Sequence, residues 1–188
     1  ARFTATDNAL AIKYFGQAIA RDPSFATAEA SLTEAHYMNI SSGWTDTPEH
    51  SIAQLVQSAE RAVLVDNQNG SSQHALGHAY ALTGNREGMI QAFKTSLELD
   101  PNSSLGQVCA GEGLAMAGES DAAIKVLNRA LRLSPQDPGV SWTYHAMALA
   151  YFAKENYPES VNWAQRAVSY SPHVAFFHRT LATSLAQA

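Results

Sequence analysis

His74 and His78 stand four residues apart, the spacing that puts two side chains on one face of a helix. Two imidazoles so placed can begin a metal site, but zinc wants three or four ligands, each held in orientation by supporting groups. Glu112 and His145 would have to join from later elements. The pair alone does not make a site, so no metal and no cofactor are expected. Solvated histidines are the default reading; a pH response of partner binding is a further reading that such histidines allow. The one cysteine, Cys109, excludes an internal disulfide framework and a cysteine-based zinc site. It reads as a small buried apolar residue, because a thiol nucleophile needs a matched histidine in a cleft. No glycine-rich loop follows a strand, and no nucleotide-binding pattern appears. The acidic residues are scattered, with no pair suited to general acid and base work. Catalytic chemistry is therefore not expected.

Composition narrows the class further. The chain has 188 residues, 46% hydrophobic and only 15% charged, against roughly 25% charged in an average globular domain. Alanine is the most frequent residue, which favours helices whose backbones approach closely. No apolar run is long enough to span a bilayer. The start, Ala1-Arg2-Phe3-Thr4, lacks the apolar stretch of a secretory signal, so a cytoplasmic location away from membranes is expected. A net charge of −5 argues against nucleic acid as a direct partner. Asn39-Ile40-Ser41, Asn69-Gly70-Ser71 and Asn102-Ser103-Ser104 fit the glycosylation pattern, but without a signal they read as caps and turns.

The elements that must position these side chains repeat. Asp22-Pro23, Asp100-Pro101, Ser134-Pro135 and Ser171-Pro172 each close a helical stretch. Pro101 and Pro135 are 34 residues apart, and Pro135 and Pro172 are 37 apart. Asp66-Asn67 lies one 34-residue step before Pro101, and Pro23 to Asn67 is 44, one step plus ten. Helices are predicted over about 7–21, 25–40, 48–65, 70–83, 86–99, 104–117, 120–133, 139–153, 157–170 and 174–186. The extra ten residues, Ser41 to His50, contain Thr47-Pro48-Glu49, an N-cap, a first-turn proline and a first-turn acid. Trp44 reads as packing over the end of this helix pair, with an exposed anchor for a partner as the other reading.

A 34-residue period is that of the tetratricopeptide repeat, a helix–turn–helix unit. Leu76, Gly77, Tyr80, Phe93 and Pro101 fit its pattern, as do Gly111, Ala123, Ala130 and Pro135, then Tyr144, Ala148, Tyr151, Ala167 and Pro172. Ala11, Phe15, Ala18 and Pro23 match a second helix without its first, and Leu181 and Ala182 a first helix without its second. The chain thus resembles tetratricopeptide-repeat proteins over nearly its whole length and reads as a piece of a longer protein, with a capping role for the lone last helix as the other reading. The resemblance implies an all-α fold of about ten helices in one domain, 1–188, stacked as a right-handed superhelix. Its parts would be a partial repeat 7–24, repeats at about 26–69, 70–103, 104–140 and 141–174, and a terminal helix 175–188. Small residues should sit where the two helices of a repeat cross, with larger ones filling the gaps. Gly84 and Gly118 should end first helices in a left-handed turn. Glu155 occupies the same place in the last full repeat, so a different turn is expected there.

The runs Ala18-Ile19-Ala20-Arg21-Asp22-Pro23-Ser24-Phe25-Ala26-Thr27-Ala28, Gly43-Trp44-Thr45 and Glu60-Arg61-Ala62-Val63 are similar to C-terminal repeat regions of bacterial adenylate cyclases and winged-helix transcriptional regulators. That resemblance implies a regulatory or assembly role. In the family geometry the first repeat would offer Thr27, Ala30, Glu34, Tyr37 and Met38 to the concave groove, and the candidate binding residues there are His74, His78, Glu112, Trp142, His145, Phe152, Phe176 and Arg179. Chaperone-binding members hold a terminal carboxylate with Lys and Asn, where this chain has His74, His78, Glu112 and His145. Chaperone tails are therefore not expected. A peptide, or another domain of the same protein, should dock through apolar contacts, with Trp142, Phe152 and Phe176 as anchors or, alternatively, as filling between repeats. The alternative function is an oligomerisation element, making homo-oligomers by burying Phe176, Phe177 and the last helix against a second chain.

Overall fold

The computed structural model describes residues 4–134 and 136–188. Pro135, one of the closing prolines, and Ala1 to Phe3 lie outside the described residues. Among the described residues there are ten helices and no strand: α1 (Ala5–Arg21), α2 (Ala26–Ser41), α3 (Pro48–Val65), α4 (Gly70–Thr83), α5 (Arg86–Leu99), α6 (Ser104–Met116), α7 (Ser120–Leu133), α8 (Val140–Ala153), α9 (Tyr157–Tyr170) and α10 (Ala175–Leu185). Predicted and observed helix ends differ by at most two residues. The all-α repeat fold expected from the sequence is the one found.

Two compact units divide the chain, Ala1–Leu99 and Asp100–Ala188. In the first, α2–α3 and α4–α5 are antiparallel hairpins, α1 lies on α2, and α2 lies beside α4. In the second, α6–α7 and α8–α9 are the hairpins, α6 lies beside α8, and α10 packs on α9 and α8. The core of the second unit holds Leu114, Leu127, Met147 and four fully buried alanines, Ala123, Ala130, Ala146 and Ala150. Alanine at the crossings lets the helices come close enough for the larger side chains to interdigitate.

Helix starts and stops follow local chemistry. Asn69 and Ser103 cap α4 and α6, accepting from the backbone N–H of Ser71 and Gly106 at 2.9 and 3.0 Å. Asn39 instead accepts from Asn8 Nδ2 at 2.7 Å, tying α2 to α1. Pro48 and Glu49 open α3 as expected, but the Thr47 side chain makes no capping bond. Its backbone N–H is turned toward Thr45 Oγ1, 3.1 Å away. Asp22, Asp66, Ser134 and Ser171 end α1, α3, α7 and α9 with φ between −152° and −137°; a following proline favours this extended backbone at Asp22, Ser134 and Ser171, and Asp66, followed by Asn67, adopts it without one.

The first helix of each repeat ends in one shared turn. Trp44, Asn85, Glu119 and Asn156 each donate a backbone N–H to the carbonyl five residues back, at 2.9, 2.9, 2.9 and 3.0 Å. The residue before each is left-handed: Gly43, Gly84, Gly118 and Glu155, with φ of 68°, 78°, 83° and 60°. This closure satisfies carbonyls that the helix end leaves open. The expectation of a different turn at Glu155 is corrected: the turn is kept, and a glutamate carries the strained conformation. Gly43 shows that this turn is unaltered, so the extra residues follow it and do not begin at Ser41 as expected.

Candidate functional site

In the first unit, α2 presents Glu34 and Tyr37 to α4, which presents His74 and His78. Both imidazoles are buried, with about 4% and 5% of their surface exposed. They are not the solvated histidines expected from the sequence. The Tyr37 ring lies 4.1 Å from that of His78, and Phe93 of α5 lies 5.9 and 5.4 Å from the two imidazoles. Packed on its own partner α5 and on α2 and α3 of the preceding repeat, α4 has little open surface, so aromatic walls replace water. Nε2 of His78 is 3.0 Å from Nε2 of His74, so in a neutral pair one donates and the other accepts. Glu34 Oε1 is 3.5 Å from Nδ1 of His74 and 3.6 Å from Nε2 of His78. Burial pulls His78 down to about 4, against the opposing charge of Glu34 and with a smaller push from His74. Its ring is therefore neutral at pH 7. Glu29, on the same helix as Glu34, is also buried and meets Arg61 of α3 at 2.9 Å.

In the second unit, α8 presents Trp142 and His145 toward α10. Trp142 meets Phe177 edge to face at 4.9 Å, and His145 lies 5.1 Å from the same ring. Phe177 is completely buried. It is thus unavailable to a second chain, contrary to the role given it in the oligomerisation reading. His145 is buried too, and its Nδ1 has no hydrogen-bond partner among the described residues. Desolvation, with a contribution from the Arg179 charge, lowers it to about 4. Arg179 is exposed, its guanidinium carbon 4.2 Å from the centre of the Phe176 ring. Phe152 is half-buried against Tyr157 at 5.4 Å. Glu112 on α6 is half-buried, and burial raises its carboxyl to about 7.

The residues expected to line a groove thus fall into two sets. Glu34, Tyr37, His74 and His78 meet in the first unit. Trp142, His145, Phe176 and Arg179 meet in the second, with Phe152 and Glu112 on its first helices. Half-buried aromatics and an exposed cation make the second set accessible, whereas the histidines are covered. Cys109 is buried on α6, as expected. What the sequence did not show is the approach of Glu34 to both histidines. It depends on the register of α2 against α4, for which no single residue is a signal.

Residues 70–103 and 104–171 match family models of the tetratricopeptide repeat, together more than half of the chain. This chain belongs to the tetratricopeptide-repeat family. Solved tetratricopeptide proteins share its fold. TTC0263, a thermophilic protein of Thermus thermophilus, is 19% identical, covering 93% of this chain and 89% of its own, with a TM-score of 0.63. YrrB, described as having an unusual peptide-binding site, is 18% identical over 93% and 83%, with a TM-score of 0.53. The first tetratricopeptide domain of Spaghetti (RPAP3), bound to the HSP90 peptide SRMEEVD, is 16% identical over 64% and 94%, with a TM-score of 0.51. No curated protein matches the sequence. Tetratricopeptide folds are in general protein–protein interaction modules and not catalysts. Among the described residues no helix is long and apolar enough to cross a membrane.

Proposed function

We propose that this tetratricopeptide chain is a non-catalytic module that binds a peptide or partner domain on its first-helix faces. The observation that carries the reading is the accessible set on α8 and α10: Trp142, Phe152 and Phe176, half-buried, beside an exposed Arg179. Aromatic rings supply contact area at small entropic cost, and an arginine fixes register against an acidic or carbonyl group. Glu112 and His145 complete that face. His74 and His78 serve the first unit, and all three histidines act as packed walls more than as direct contacts. The peptide-bound and peptide-binding neighbours support a linear segment as ligand. Selection from a peptide library on the immobilised chain tests this, followed by titration of the selected peptide. Phe152→Ala and Arg179→Ala should each weaken binding about tenfold or more. Failure to select any peptide, or affinities unmoved by both changes, would sink the idea. Sedimentation at rising concentration distinguishes it from assembly through α10, where Leu185 is exposed.

The resemblance of the runs from Ala18, Gly43 and Glu60 to repeat regions of bacterial cyclases and regulators favours a regulatory module of a larger cytoplasmic signalling protein. The coding sequence upstream of Ala1 tests that role. A cyclase or winged-helix domain there supports it, whereas only further repeats there would make the chain an adaptor.

A further inference from the structure

Glu34 Oε1 is buried and accepts no hydrogen bond among the described residues. Its nearest polar neighbours are ring nitrogens of His74 and His78 at 3.5 and 3.6 Å, too far for a hydrogen bond. A buried carboxylate oxygen left without a donor costs free energy that most folded chains avoid. Here it faces two imidazoles, themselves 3.0 Å apart at Nε2. Three donors with a gap between them, one anionic and two soft enough for a borderline cation, make a ligand set that a bare carboxylate–imidazole contact does not explain.

The geometry points to a divalent transition-metal site, with Zn²⁺ as the ion it fits, held by Glu34, His74 and His78. Bonds of about 2.0–2.2 Å at tetrahedral angles put neighbouring ligand atoms roughly 3.4 Å apart. Glu34 Oε1 stands 3.5 Å from His74 Nδ1 and 3.6 Å from His78 Nε2, both near that spacing, while the 3.0 Å between the imidazoles runs through the other nitrogen of His74. Glu34 would bind through Oε1 and His78 through Nε2. The His74 ring turns Nδ1 toward Glu34 and Nε2 toward His78, and a rotation about its Cβ–Cγ bond sets which one binds. Two imidazoles and a carboxylate are a donor set suited to zinc, and they exclude Ca²⁺ and Mg²⁺, which demand oxygen. Tyr37 and Phe93 wall the imidazoles and hold their planes. The Glu34 side chain, about 32% exposed, leaves the way in for the ion. Because α2 supplies one ligand and α4 two, the bound ion would staple the first helices of successive repeats.

The test uses the whole chain, stripped with a chelator and titrated with ZnCl₂ by calorimetry. Co²⁺ absorption serves as a second readout, since a tetrahedral ion gives intense visible bands. One Zn²⁺ per chain, a melting temperature that rises with Zn²⁺, and about tenfold or greater loss of affinity in both Glu34→Gln and His78→Ala are expected. Glu34→Gln sits at the open edge, so it reports even if His78→Ala does not fold. No saturable binding, or binding that Glu34→Gln leaves unchanged, as surface histidines elsewhere would give, overturns the proposal.

Discussion

Glu155 holds a conformation that three glycines hold elsewhere, with φ of 60°. An L side chain there brings Cβ against the following carbonyl, at a cost of roughly 1–2 kcal/mol. The bonds from Glu155 N–H to Phe152 and from Asn156 N–H to Tyr151, at 2.9 and 3.0 Å, hold it in place. Glu155→Gly should therefore stabilise the chain by about 0.5–1 kcal/mol, since glycine's greater unfolded-state freedom takes back part of the relief. A rise in the urea midpoint at constant slope checks this; a fall would mean that the glutamate side chain contributes an interaction stronger than the strain. Gly84 and Gly118 were readable as helix stops because glycine is the usual residue there. Glu155 was not, because only the phase of the repeat, against the local preference, argues for the turn. Gly43 was hidden in the same way by the inserted residues that follow it. The place of Glu34 on the groove face was readable, but its partners were not, because contact requires two helices at fixed register.

Between helices the same substitution can have opposite signs. A Cβ on Gly77 would overlap the ring of Phe93, and one on Gly111 would overlap the side chain of Leu127. Both partners are almost fully buried and have nowhere to move, so overpacking of about 1–3 kcal/mol outweighs the roughly 1 kcal/mol of helix propensity that alanine adds. Gly16 is also helical, but nothing lies within 4 Å of its would-be Cβ. Gly77→Ala and Gly111→Ala should lower the melting temperature, and Gly16→Ala should raise it. Equal effects at all three sites would refute the close-crossing account. These crossings were legible because small residues recur in phase with the closing prolines, and this is also why the helix ends were placed so nearly. Side-chain exposure on the first helices was less legible. A helix covered by its own partner and by a neighbouring repeat shows a sequence pattern with no clear polar face, so His74, His78 and His145 looked solvated.

For the molecule as a whole, stability should depend on pH through groups whose burial acts in opposite directions. His145 is lowered to about 4 in the folded chain and titrates at about 6.5 when unfolded. The unfolded chain therefore takes up the proton first, and the contribution of His145 is complete above 6.5 and lost as pH falls toward 4. Glu112 is raised to about 7 from its ordinary 4.5. Its contribution is complete below 4.5 and lost as pH rises through 7, because the unfolded chain ionises there while the folded one resists. Between 4.5 and 6.5 the loss from Glu112 runs against those from His145 and from His78, which is also lowered to about 4, so the wild-type curve does not separate them. Glu112→Gln removes one side of the balance. Relative to wild type it should gain stability progressively from pH 4.5 to 7, by at most about 3 kcal/mol, and the gain should level off above that. Urea unfolding of both proteins across this range measures the difference, in which every other titrating group is common and cancels. A difference that stays flat would mean that Glu112 is ionised and solvated in the folded chain. It would then be an anion on the face of α6, and a partner reading that face together with Arg179 would need complementary charge for both.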